Sequence, residues 1–465
     1  MRITPIILCG GEGSRLWPSS RSNTPKHFLR LSSHLSLFQE SLQRLEDKRF
    51  NDPIIISSSE TEYLLKEQLR EINFEKAKII LEPVKRSTSA SICLGALYAF
   101  KKDKNSKILV ISADLKIENF DELVKDCFNA ESIIKKSFVV FGKTPSFASS
   151  DFGYIESSSK LVDNFFNVNS FQEKPDNQTA QNYIDSEGYL WNLGIFLFSA
   201  ENFIIAMKEH QNEILNICSS SLSIDDKDNI LVDENIFSKS PSISIDYALM
   251  ENIKNIVVCK TAIEWNDLGS WNALKELQTS FEDSYYENSN NIYIKNINGK
   301  KYVLKDISDI NIIDESDVLM ITNSNTTNKE LSSFFDNAKK HFPSLKSFDQ
   351  IDHRPWGMFK VLVDNRDYKI KYLEVLPFQK LSLQKHKYRS EHWTILEGEP
   401  NVTVNDSVKS HKANDHIFIK AGDIHRIENP TNKKVSFIEV QIGSYFGEDD
   451  IERLEDDYGR LDNNK

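Results

Sequence analysis

Up to about residue 280 the chain alternates short apolar runs with stretches of helical periodicity, an order that few architectures accept. Ile3–Leu8, Ile54–Ser57, Lys78–Leu81, Ile108–Ile111 and Phe138–Phe141 read as strands. Leu37–Leu45, Glu60–Ile72, Ala90–Phe100 and Asp121–Ile134 read as the helices between them. Such alternation predicts a mostly parallel sheet with helices on both faces. Ligands of such sheets gather outside the carboxyl ends of the strands. From roughly 281 to 347 Asn and Ser become dense, and short segments such as Asn291–Ile297 and Lys301–Leu304 alternate before a helix expected around Asn328–His341. After His353 come β-branched and aromatic runs with turn residues between them: Tyr368–Val375, Trp393–Leu396, Asn401–Val404, His416–Lys420 and Ser436–Gln441. That spacing predicts an antiparallel barrel or jelly roll. The expected divisions are 1–283, 284–347 and 348–465.

At 465 residues the chain is too long for one ordinary core. A formal net charge of −12 argues against nucleic acid as the main partner, because backbone-phosphate binding needs a broad basic face. A small phosphorylated ligand needs only a local cluster of cations. The five cysteines (Cys9, Cys93, Cys127, Cys218, Cys259) are scattered and form no CxxC pair, which favours reduced thiols and a cytoplasmic home. The first apolar run is too short for a signal-peptide core, and no stretch reaches the length of a membrane span. A soluble intracellular protein is expected.

Directly behind the first predicted strand stands CGGEGSRLWPSSRSNTPKHFL, Cys9 to Leu29. Gly10, Gly11 and Gly13 let the backbone come close to a ligand, and peptide N–H groups in such a turn attract anions. Arg15 and Lys26 add charge-assisted bonds to phosphate oxygens. The run fits neither GxxxxGK[ST] nor GxGxxG, whose third glycine slot is Leu16 here.

The full run GGEGSRLWPSSRSNTPKHFL resembles the signature of the sugar-nucleotide pyrophosphorylases, in particular the mannose-1-phosphate guanylyltransferases. ILEPVKRSTSAS (80–91), VISADLKI (110–117), DFGYIE (151–156), FQEKPD (171–176), YLWNLGIFLF (189–198), SIDYALME (244–251) and WNDLGSW (265–271) extend the likeness over the first 280 or so residues. The resemblance implies a Rossmann-like α/β nucleotidyltransferase domain that joins mannose 1-phosphate to the α-phosphate of GTP, giving GDP-mannose and pyrophosphate. It implies Mg²⁺ on Asp114 and Asp267, with Arg15 and Lys26 on the phosphates. Lys174 would hold the sugar phosphate. Glu173, Asn192 and the backbone at Gly153 would meet the hexose, while Asp246 serves the sugar or the support of its neighbours. Glu82 is the candidate reader of the base, since a carboxylate accepts from both guanine N1–H and the exocyclic amine. Leu115 stands where relatives commonly carry His, and Arg86–Ala90 replaces the usual RNTAP.

The C-terminal region carries LSLQKHKYRSEHWTILEG (381–398) and IKAGDIHRIEN (419–429). Gln384, His386, Glu391 and His425 fall at the intervals of a cupin's two metal motifs, with Asn429 closing the second. Residues two apart on a strand share a face, so Gln384 and His386 can point at one ion. The set suits Zn²⁺ or another divalent first-row metal. From HRPWGMF (353–359) to the closing DDYGR, the region is similar to the isomerase half of bifunctional mannose-6-phosphate isomerase/mannose-1-phosphate guanylyltransferases. That likeness implies interconversion of fructose 6-phosphate and mannose 6-phosphate, with Arg460 on substrate or transition-state charge. A transferase with a non-catalytic sugar-binding cupin, and a non-catalytic sensing subunit, are the competing readings. The likeness also implies a homo-oligomer, GDP-mannose feeding polysaccharide or GDP-fucose synthesis, and no nucleic-acid or membrane partner.

Overall fold

A computed structural model describes residues 2–11, 13–226, 228–276, 283–296, 299–342, 345 and 351–460. Glu12 of the opening loop, Ile297 of a predicted segment and the expected 347/348 division lie outside these residues. The chain separates into two compact units, Met1–Asn337 and Ala338–Lys465.

The first unit is built on strands β1 (Ile3–Cys9), β2 (Ile54–Ser58), β3 (Lys78–Glu82), β4 (Lys107–Ser112), β5 (Lys116–Ile117), β6 (Phe138–Lys143), β7 (Tyr154–Val162), β8 (Phe165–Gln172), β9 (Tyr189–Ser199), β10 (Leu222–Ile224), β11 (Ile230–Val232), β12 (Ile256–Lys260) and β13 (Trp265–Asn266). Nine of them form one sheet in the order β3-β2-β1-β4-β9-β6-β12-β8-β7. Their pairings give seven strands one direction, with β8 and β9 reversed. The parallel run β3-β2-β1-β4 reverses its winding between β1 and β4. That places the switch-point crevice at the ends of Cys9 and Ser112, where the opening loop and Asp114 begin.

The strands are apolar at consecutive positions because the sheet is covered on both faces. Ile6, Ile54, Ile56 and Val110 pack towards helix Ser87–Lys102, whereas Ile3, Ile7, Ile55 and Leu109 pack towards helices Leu37–Gln43 and Glu62–Glu71. Helix Ser87–Lys102 is buried from Ser89 to Ala99, sandwiched between the sheet and helices Ala200–His210 and Asn212–Ser221. It lies so close to the sheet that a Cβ on Gly95 would sit 2.8 Å from Ile6 Cδ1.

Within the same unit, Ile292–Asn296 runs parallel to Ile310–Asp314, which pairs antiparallel with Leu319–Asn323. Ser284–Glu287 runs parallel to Tyr302–Lys305, and the unit ends at Asn337 within helix Asn328–His341. The second unit holds a six-stranded and a five-stranded sheet, antiparallel throughout, closed over a core of Trp393, Phe437, Ile395 and Ile427. No helix among the described residues is long and apolar enough to cross a membrane.

Because the helix lies against Ile6 at Gly95, Gly95→Val should destabilise the chain by about 1–3 kcal/mol through overpacking. A lowered urea midpoint with an unchanged slope is the expected result.

Candidate functional site

The opening loop leaves β1 through two left-handed glycines, Gly11 at φ +83° and Gly13 at φ +62°. The loop then doubles back, so that a Cβ at Gly13 would lie 2.2 Å from Lys26 Cβ. The fold is stapled by Ser20 Oγ donating to the Gly13 carbonyl (2.7 Å) and by reciprocal backbone bonds between Arg21 and Thr24. Lys26 is thereby turned inward and buried. Its ammonium donates to Asp114 Oδ2 at 2.8 Å and to the Asp267 carbonyl oxygen. Asp114 follows β4, and its other oxygen accepts from Ser112 Oγ. Burial pushes the Asp114 carboxyl up, but Lys26 and Ser112 outweigh it and hold the group below the usual carboxylate range. Burial lowers the adjacent His27 to about 4, so that ring stays neutral.

Asp267 reaches this point because β13 pairs antiparallel with β5, Trp265 opposite Ile117 and Asn266 opposite Lys116. Leu268 sits at φ +46° with its side chain fully buried, and Asp267 Oδ1 accepts from Gly269 N. The structure thus brings Lys26, Asp114 and Asp267 together, with the Asp267 backbone rather than its carboxylate on the ammonium. Arg15 turns to the neighbouring loop, where its Nη2 donates to Asp151 Oδ1 at 3.0 Å.

A second cluster gathers Gly153, Glu173, Lys174, Asn192 and Asp246. Asn192 N donates to the Gly153 carbonyl at 2.8 Å, and its amide donates to Asp246 Oδ1 at 3.0 Å. Lys174 Nζ pairs with Glu173 Oε1 at 3.0 Å. A Cβ on Gly153 would meet Glu173 Oε2, so the absence of a side chain there lets that carboxylate lie against the backbone. Burial, helped by the Glu173 charge, raises Asp246 to about 7. Glu82 ends β3, two strands from β1 on the same carboxyl edge, and Ser91 Oγ donates to it at 2.7 Å. Burial raises Glu82 to about 7 against that bond.

In the second unit, Gln384 and His386 share strand Leu383–His386, Glu391 lies on Arg389–Glu397, and His425 opens His425–Glu428 opposite Gln384. One donor atom each from His386, Glu391 and His425 lies within 4.8 Å of the others, all buried. His386 Nε2 stands 3.1 Å from Glu391 Oε1, His425 Nε2 3.6 Å from Oε2, and Gln384 Nε2 3.4 Å from His386 Nε2. The bond between His425 Nδ1 and the Asp423 carbonyl (3.0 Å) leaves Nε2 aimed at Glu391, buried and without a hydrogen-bond partner. Burial keeps His425 below its ordinary value, hence neutral. Burial raises Glu391, but His386, His425 and Arg389 more than reverse this and keep it ionised. Two imidazoles, one carboxylate and an amide around an orphaned nitrogen fit a divalent metal. Asn429, by contrast, is spent on the Val375, Leu376 and Lys433 carbonyls and closes a turn.

Residues 4–284 match the nucleotidyl transferase family model, and 344–456 match that of the mannose-6-phosphate isomerase C-terminal domain. The chain belongs to the nucleotidyl transferase family. It is 34% identical to a mannose-1-phosphate guanylyltransferase of Klebsiella pneumoniae over 98% of this chain and 100% of that one. It is 33% identical to the alginate biosynthesis protein AlgA of Pseudomonas aeruginosa over 98% of this chain and 97% of that one. A crystal structure titled as a mannose-1-phosphate geranyltransferase from Thermus thermophilus shares the fold, with a TM-score of 0.63 at 22% identity over 73% of this chain and 100% of that one.

In this nucleotidyl transferase, Arg460 pairs with Asp456 (Nε to Oδ1 3.1 Å) and lines one cavity with Gln384, Glu391, Arg354, Arg389 and Arg453. Arg354 lies in HRPWGMF, singled out from sequence without a role. Sequence reasoning also missed Trp393 and Gln441, which donate to the two Glu391 oxygens at 3.1 Å each, and Glu439, which accepts from both of them. A signal was available: Val435–Gly443 turns Glu439 and Gln441 inward while Ile438, Val440 and Ile442 face outward. Removing an outer partner of a metal ligand lowers affinity about 10–100-fold. Gln441→Leu should therefore weaken divalent-metal binding by that factor, read by competition with a chelator, and His425→Ala should abolish retention through dialysis.

Proposed function

We propose that this chain makes GDP-mannose and pyrophosphate from GTP and mannose 1-phosphate, and that its second unit interconverts mannose 6-phosphate and fructose 6-phosphate. The observation that carries the first activity is the Lys26 ammonium bridging Asp114 and Asp267 at the switch point of the sheet. The sugar phosphate is already an anion, so the reaction needs alignment and charge neutralisation rather than a strong base.

Asp114 and Asp267 would hold Mg²⁺, which neutralises phosphate charge when bound. Gly10 and Gly11 leave open space where their side chains would be, so phosphate oxygens can approach the backbone. Lys26 supplies positive charge beside them, and Arg15 supplies it once released from Asp151. Lys174 takes the mannose phosphate, while Glu173, Asn192 and Asp246 bond hexose hydroxyls over Gly153. Glu82 in its ionised form accepts from guanine N1–H and amine, a donor pair that adenine and uracil lack.

In the second unit, Gln384, His386, Glu391 and His425 would hold Zn²⁺ or another first-row divalent ion, which polarises a carbonyl when bound. Arg354, Arg453 and Arg460 line the cavity beside them and suit a sugar phosphate. A non-catalytic cupin remains the second reading, and Glu439, a buried acid beside the ligand set, favours the isomerase. Five buried free thiols suit a reducing compartment, and we assign the chain to the cytoplasm.

Purified chain with Mg²⁺, a panel of nucleoside triphosphates and several hexose 1-phosphates should yield GDP-mannose; another sugar nucleotide, or none, overturns the reading. Asp114→Asn should lower kcat on the order of 10²-fold or more. Because Glu82 sits at about 7, its carboxylate fills as pH rises through that value. The KM for GTP should therefore fall between about pH 6 and pH 8, and Glu82→Gln should flatten that slope. A fructose 6-phosphate assay on the metal-loaded chain decides between the two readings of the cupin.

A further inference from the structure

Residues 284–296 and 299–335, which follow the transferase fold, touch both segments that build the Lys26 site. On the opening loop, Arg21 is buried, donates from Nε to the Pro18 carbonyl (2.6 Å) and pairs with Asp317 at 2.8 Å. Ser19 and Lys295 both bond Glu315, and the Trp17 ring lies 5.0 Å from Phe335. On the Asp267 segment, Asn272 Nδ2 donates to the Ser324 carbonyl (2.6 Å), Lys275 to the Asn291 carbonyl (2.7 Å), and Trp271 packs near Tyr293. Asn328 reaches Asp151, the partner of Arg15, at 3.3 Å.

Resting on the proposed transferase site, we infer that residues 284–296 and 299–335 are a positioning clamp for nucleotide chemistry, with Asp317 as its chief positioning residue acting through Arg21. Arg21 and Thr24 exchange backbone bonds immediately before the turn that aims Lys26. Fixing the guanidinium therefore fixes where the ammonium meets Asp114 and Asp267. When the carboxylate is lost the guanidinium keeps its bond to the Pro18 carbonyl and its place beside the Trp17 ring, but the ion pair that ties the loop to Asp317 is gone. Such a loop tilts rather than unfolds, because Trp17 and Ser19 keep their own holds. A misplacement of about 1 Å can reduce rate about 10²-fold. The hexose cluster around Asn192 and Asp246 shares none of these contacts, so the effect falls on one substrate.

The test uses the full chain carrying Asp317→Asn. The kcat/KM for GTP should drop about 10–100-fold, while the KM for mannose 1-phosphate, read at saturating GTP, stays within about twofold. Asp317→Glu and the swap Arg21→Asp/Asp317→Arg should recover most of the loss. Hydrogen exchange at Trp17–Leu29 should quicken in Asp317→Asn with the thermal midpoint nearly unchanged. Unchanged exchange in that loop, or a KM for mannose 1-phosphate that rises as much as the KM for GTP, overturns the clamp. An inactive wild type whose loop still loosens would instead overturn the proposed reaction and leave the clamp standing.

Discussion

A buried ammonium is the constraint around which the first unit is arranged. Lys26 has almost no exposed surface, and an unpaired charge there would cost several kcal/mol. The chain meets that demand with a carboxylate after β4 and a carbonyl after β13, two groups far apart in sequence. Each requirement constrains another element. Gly13 must lack a side chain for Lys26 to turn inward, and β13 must pair with β5 for Asp267 to arrive. Leu268 must accept a left-handed backbone, its own burial supplying the restraint.

The second unit solves the opposite problem, a buried anion. Glu391 has two imidazoles, an arginine, an indole and an amide directed at it, so its negative charge persists inside a small barrel. That network displaces apolar residues from the interior. From Ile438 to Ile442 the strand Val435–Gly443 therefore turns polar residues inward and apolar ones outward, the reverse of an ordinary half-exposed strand, while Val435 and Phe437 stay in the core. A fully connected polar network is tolerated in a core, whereas a half-satisfied one is not. Among the described residues the atoms of this network left without a hydrogen-bond partner are His425 Nε2, His386 Nδ1 and Gln441 Oε1.

Much of this was legible beforehand, and for identifiable reasons. The runs at Ile3, Ile54, Lys78 and Phe138 are strands because both faces of the sheet are buried, a condition that writes itself as consecutive apolar letters. Gln384 and His386 share a face because a strand has period two. What local pattern could not carry was the partner of each charge. Arg15 is paired with Asp151, Arg21 with Asp317 and Lys295 with Glu315. None of these pairings has a periodic trace. The density of Asn and Ser over residues 281–347 marks a change of texture and nothing about Asp317, whose importance comes only from what it touches.

The two sites share one physical device. Each holds a charge that the fold stabilises fully only through several distant elements, and each leaves polar capacity unspent at the place where a ligand would arrive. An unsatisfied buried donor or acceptor costs about 1–3 kcal/mol. In the first unit the unspent capacity is the exposed part of Asp114 and the open face above Gly10 and Gly11. In the second it is the aimed nitrogen of His425. A ligand that completes either shell returns that deficit as binding energy, so both sites are stabilised by what they bind. The stability of each unit and its chemistry therefore depend on the same few atoms.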